Sequence, residues 1–132
     1  MKHNYQIGDW VYDSKRSQYP MQVVAVFGER NGTICDLDLD FEGNEGGVWE
    51  CKADEVVPIP ITDEFLKTNG FEKIAMYHYL YLSNRDYLQY YPHECILRKY
   101  YKGELLFQCH CRYVHRLQQA LRLCGIDKEI QL

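Results

Sequence analysis

The 132-residue sequence has no long apolar run. Its longest uncharged stretches, such as that between Ile74 and Arg85, carry several tyrosines and a histidine. They fall far short of the ~20 apolar residues of a membrane-spanning helix. The opening MKHNYQIGDW has nothing like the apolar segment of about 7–15 residues that a secretory signal needs, so a cytoplasmic protein with no membrane partner is expected. Serine is scarce, at three residues, and none has a nucleophile-elbow setting. There is no phosphate-cradling glycine loop and no zinc-protease helix motif. An excess of positive charge is also missing: the net charge of −4 lacks the basic footprint of a dedicated DNA-binding protein.

What the chain does have is core-forming material. Its apolar content of 46% suffices for one domain, or for two small modules. Six cysteines are present, and the absence of a secretory signal favours reduced thiols over a disulfide framework. Charge is uneven. Residues 1–60 carry 11 acidic and 5 basic side chains, whereas residues 61–132 carry 8 acidic and 10 basic. An asymmetry of this kind marks either an interaction surface or two halves that attract each other.

The first sixty residues read as short strands punctuated by turns. YQIGDWVY alternates weakly around Gly8, and MQVVAVFG reads as a strand buried on both faces. Asn31-Gly32 is a strong hairpin signal, because a type I′ turn needs positive φ at both central residues. TICDLDLDF then places Cys35, Leu37, Leu39 and Phe41 on one face and Asp36, Asp38 and Asp40 on the other. The region 1–60 is expected to form a small, strongly curved β-module of the SH3-like partial-barrel kind.

The prolines of VVPIPIT hold an extended junction. From there, Thr62 caps a short helix that Gly70 ends. Strands are expected near 74–82, 87–101 (broken at Pro92) and 104–111. A helix should follow from about Arg112 to Cys124, with Val114, Leu117 and Leu121 on its apolar stripe, and IDKEIQL could add a last strand. The expected fold is α+β, the β-module of 1–60 packing on a helix–β–β–β–helix–β unit at 61–132.

The densest chemistry lies in FQCHCRYVH, residues 107–115. Cys109, His110, Cys111 and His115 supply enough ligands for structural zinc, but strand alternation sends His110 to the face opposite the two cysteines. Cys111 and His115 also have nucleophile-and-base spacing. A strand running into a helix explains the pattern without either chemistry, so no catalytic residue, metal or cofactor is expected. DLDLDFEGNE fails as an EF-hand loop, since Phe41 and Gly47 stand where glycine and glutamate are required.

Three candidate interaction surfaces remain. One is the acidic stripe of Asp36, Asp38 and Asp40. Another comprises Arg112, Arg116 and Arg122 around the last helix. The third is tyrosine: nine of the twelve tyrosines fall between Tyr77 and Tyr113, with Tyr77, Tyr79 and Tyr81 on one strand face. Tyrosine suits cores and protein interfaces, and beside basic residues it can also stack bases. Packing or interface is the favoured reading, with a protein partner first and nucleic acid, gripped by the basic helix and the tyrosine face, as the alternative.

The stretches IGDWVYDS, DEVVPIPIT, FLKTNGFEK and RYVHRLQQALRLCGI resemble an uncharacterised family of small proteins abundant in Bacteroidetes genomes, often among prophage and mobile-element genes. The resemblance runs over nearly the whole chain, excepting about 86–103. It implies a non-catalytic intracellular accessory protein and brings no functional residue with it.

Overall fold

The computed structural model describes residues 4–14, 19–28, 36–40 and 49–132. Asn31-Gly32, Cys35, Phe41 and the glycine-rich turn before Trp49 lie outside the described residues. The fold is α+β, with two antiparallel five-stranded sheets and two short α-helices among the described residues. The chain divides into two compact units, Met1–Ile59 and Pro60–Leu132.

The first unit holds β1 (Trp10–Asp13), β2 (Pro20–Phe27), β3 (Asp36–Asp40), β4 (Trp49–Lys52) and β5 (Val56–Pro58), in the order β4-β3-β2-β1-β5. A 3-10 turn at Ala53–Glu55 precedes β5, which returns to pair with β1. Pro58 is tolerated because β5 is an edge strand. Gly8, at φ 96, makes the turn into β1, and Asp9 Oδ2 accepts the Gln6 N–H there at 2.8 Å. Val11, Met21, Val23, Leu37 and Leu39 form the core with Tyr5 and Cys51. β2 is not buried on both faces as its apolar run suggests. Its burial alternates, and a bulge between Val23 and Ala25 leaves Val24 exposed.

The second unit begins with α1 (Asp63–Thr68), whose first turn is capped by Thr62 Oγ1 accepting the Phe65 N–H at 3.1 Å. Its C-terminus closes in a Schellman arrangement: Phe71 N–H reaches the Leu66 carbonyl, Gly70 N–H reaches that of Lys67, and Gly70 takes φ 88. A simple antiparallel meander follows: β6 (Glu72–Ile74), β7 (Tyr77–Ser83), β8 (Asp86–Tyr91), β9 (Ile96–Tyr101) and β10 (Glu104–His110). Finally α2 runs over Val114–Leu123 and ends the same way as α1, with Gly125 at φ 71.

Two features of this unit depart from the sequence reading: its first hairpin and its tail. The segment expected as one strand from 74 splits at Ala75, which adopts φ 53, so that β6 and β7 form a hairpin. The break expected at Pro92 within 87–101 is a turn between two strands, with Cys95 at φ 53. The tail after Gly125 adds no strand. It is held instead by Asn69, whose amide donates to the Gln131 carbonyl at 2.8 Å and accepts the Gln131 N–H at 2.7 Å. Ile130 is buried beside that contact.

Candidate interaction face

The meander gives its sheet two dissimilar faces. Directly opposed residues share a face, so His78, Tyr90 and Leu97 belong together, and so do Leu80 and Leu88. All five are buried. α2 covers this face with Val114, Leu117 and Leu121, which are buried in turn. Tyr90 Oη donates to the Cys111 carbonyl at 2.6 Å, tying β8 to the start of the helix. At the other end, burial raises the Cys124 thiol, which Lys99 then lowers and Asp86 raises, placing α2 over β8 and β9. Lys99 and Asp86 pair at 3.3 Å on the same side. His78 is 2% exposed, and its Nε2 lies 3.0 Å from Asp63 Oδ1 at the head of α1.

The opposite face is a tyrosine surface. The register lays it out in rows across the strands. One row runs Tyr81, Tyr87, Tyr100 and Leu105; the next runs Glu72, Tyr79, Gln89, Arg98 and Gln108. A third has Ile74 opposite Tyr77, and Tyr91 opposite Ile96, with Tyr77 and Tyr91 in ring contact at 5.5 Å. Tyr77, Tyr79 and Tyr81, grouped by strand alternation, do lie together. Tyr87, Tyr91 and Tyr100 join them through the cross-strand register of β7, β8 and β9, which alternation within a single strand does not give.

Ring geometry decides what this surface can do. Tyr79 and Tyr87 stack at 4.9 Å and 20°, and Tyr87 and Tyr100 stack at 5.2 Å and 18°. Nearly parallel rings this close overlap face to face, since rings lying side by side in one plane need more room. Both faces of Tyr87 are therefore covered by other tyrosines. Tyr79 is flanked in addition by Tyr77 at 5.6 Å and Tyr81 at 4.8 Å. Arg98 lies 5.0 Å over Tyr91 and donates from Nε to Gln108 at 2.9 Å, and Tyr91 Oη donates to Gln89 Oε1. Desolvation first, then hydrogen bonding and charge from Tyr79, raise the hydroxyls of Tyr81 and Tyr87 above the ordinary tyrosine value. The hydroxyls of Tyr81 and Tyr87 stay protonated at neutral pH. Tyr81 is 61% exposed.

The other candidate residues sit elsewhere. Arg112, Arg116 and Arg122 are exposed at or along α2, whose apolar stripe covers the far side of the sheet from the tyrosines. The sheet itself separates the basic helix from the tyrosine face. In the first unit, Asp36 is exposed and opposed by Lys52, while half-buried Asp38 is opposed by Glu50. Asp36, Asp38, Glu50, Cys51 and Glu55 border a shallow depression of about 430 Å³. Burial pushes the Cys51 thiol up to about 11, with help from the charges of Asp13, Glu55, Asp38 and Asp36.

In the cysteine–histidine segment, Cys109 pairs with Leu97 on the α2 side, while His110 pairs with Ile96 on the tyrosine side and is exposed. Cys111 is fully buried, and desolvation raises its thiol far above the ordinary cysteine value. His115 is buried inside α2, stacked on Tyr113 at 6.0 Å. Among the described residues no three His, Cys, Asp or Glu side chains converge as metal ligands would, and no helix is long and apolar enough to cross a membrane. Comparison with protein-family models, curated proteins and solved structures finds no match to the chain.

Proposed function

We propose that this is a non-catalytic interaction protein whose tyrosine face docks a protein partner. The observation that carries the reading is the Tyr79–Tyr87–Tyr100 stack. Rings stacked on each other turn edges and hydroxyls outward, forming a rigid amphipathic surface of low side-chain entropy. Such surfaces suit protein recognition. A base-stacking platform works the other way, presenting open ring faces to successive bases. Its alternative form here, nucleic acid held jointly by the basic helix and the tyrosines, would have to reach around a sheet. The acidic strand of Asp36, Asp38 and Asp40 serves as a second, weaker docking surface.

On this reading the N-terminal unit is an SH3-like barrel. Its support is the strand order, in which the fifth strand returns beside the first after a 3-10 turn. The resemblance to small Bacteroidetes proteins encoded near prophage and mobile elements suits a cytoplasmic accessory role. Cross-linking in cells that encode the protein, followed by comparison of the parent with Tyr79→Ala and Tyr87→Ala, tests the docking. Cross-links through the sheet should disappear in both variants while the fold, followed by circular dichroism, persists. Equal yields from all three chains would remove the tyrosine face from the function.

A further inference from the structure

Around the tyrosine face the charges are one-sided. Arg98 stands in its middle row, and Arg85 and Lys102 stand at the turn end beyond Tyr87 and Tyr100. With Asn84, Tyr87 and Gly103 these two cations line an open depression of about 390 Å³. The Lys102 N–H donates to the Arg85 carbonyl at 2.8 Å, which fixes the two turns side by side. Lys102 Nζ lies 5.3 Å over the Tyr101 ring, which shares the α2-side face with Asp86, so Arg85 is the cation at this end that serves the tyrosine face. Among the described residues none of the three cations is in a salt bridge; the bridged ones are Lys73, His78 and Lys99. The one carboxylate among the three rows is Glu72, out on the short edge strand β6. Asp86 is directed to the α2 side, where it pairs with Lys99.

From these positions we infer that the tyrosine face takes an extended acidic segment of its protein partner, with one carboxylate at Arg98, a second at Arg85, and apolar side chains between them on the tyrosine edges. The inference rests on the docking reading above and names the chemistry of the partner. Spacing makes it specific. Arg98 stands directly opposite Gln89, and Arg85, at the head of β8, precedes Gln89 by four residues, about 13 Å at the ~3.3 Å rise of a strand. An extended segment with acidic residues at i and i+4 spans that distance. The intervening side chains then cross Tyr87 and Tyr100. Charge complementarity of this kind sets the direction and register of docking more than its strength.

Fluorescence anisotropy tests it with three labelled probes: a synthetic peptide with glutamates four apart around a phenylalanine-containing core, the same peptide with lysines in place of the glutamates, and oligothymidine. The glutamate peptide should bind the parent protein, and the double variant Arg85→Glu/Arg98→Glu should weaken it by roughly tenfold while gaining affinity for the lysine peptide. Tyr79→Ala should abolish binding of either. Glutamate-peptide binding that survives the charge reversal but not Tyr79→Ala would overturn the acidic-partner inference and leave the docking reading standing. Oligothymidine binding lost in Tyr79→Ala would overturn both, and so would failure of the glutamate peptide to bind while the lysine peptide binds. No binding by either peptide counts against the inference alone, because cross-linking tests the docking face separately.

Discussion

At Cys111, sequence spacing and burial point in opposite directions. Four residues separate it from His115, the distance of a nucleophile and its base, yet no solvent reaches either side chain. A thiolate there would sit unsolvated, which is why burial, followed by the neighbouring Cys109, raises the thiol so far. Cys51 is raised likewise, to about 11. In the native protein both thiols should therefore react slowly with a thiol reagent at neutral pH, and His115→Ala should not slow Cys111 further. Rapid, His115-dependent labelling of Cys111 would restore the nucleophile. Asp63 has the opposite perturbation. Hydrogen bonds from Lys73 and then His78 hold its carboxyl below the usual 3.8. The stabilisation is thus present above that value and is lost as pH falls through the lower, folded-state value. Denaturation curves should show Asp63→Asn less stable than the parent near neutrality, the two converging in acid. A gap that persists unchanged into strong acid would mean that the contribution is not ionic.

Between elements, the strongest test is the pair formed by α2 and the sheet beneath it. Leu117 and Leu121 are fully or almost fully buried, so truncating either to alanine should cost about 2–5 kcal/mol. Arg116→Ala and Arg122→Ala, at exposed positions, should each change stability by less than about 0.5 kcal/mol. Asn69→Ala removes the side chain that binds both the Phe65 carbonyl and the Gln131 backbone, and should cost about 1–3 kcal/mol. Its loss should also release the tail, seen as faster amide exchange at Gln131. Protection unchanged at Gln131 would mean that Ile130 alone holds the segment.

These elements differ in how far the sequence revealed them. Thr62, Gly70 and Gly125 announced the helix ends through their own chemistry, and the alternation of Leu37 and Leu39 with aspartates announced β3. Ala75 and Cys95 gave no such signal, because neither is a residue type that usually adopts positive φ, yet both do so in turns. At Ala75 that hid the β6–β7 hairpin, whereas Pro92 announced the break that Cys95 completes. The tail was misread because its alternation matched a strand, whereas its hydrogen-bond partner is a side chain 62 residues away. Half the tyrosine face was hidden because three of its six rings are brought there by cross-strand register. Ring stacking, which bears most on function, depends on distances that no spacing rule contains.

For the molecule as a whole, charge and topology divide the work. The acidic excess of residues 1–60 and the cations at Arg85, Arg98 and Lys102 belong to different units, each with its own sheet. With only two cations meeting the partner's carboxylates, peptide binding should weaken modestly with salt, far less than phosphate recognition, which loses orders of magnitude as counterions are added back. The central claim is that Tyr79, Tyr87 and Tyr100 form a closed stack whose edges meet protein. The most direct measurement is an NMR titration that follows these three ring systems, first with single-stranded oligothymidine at low salt and then with the glutamate peptide. The account predicts no ring shift with the oligonucleotide and shifts at all three rings, together with the Arg98 side chain, with the peptide. Upfield ring shifts on adding oligothymidine, reversed by salt, would contradict it, because they require that the stack open and accept bases.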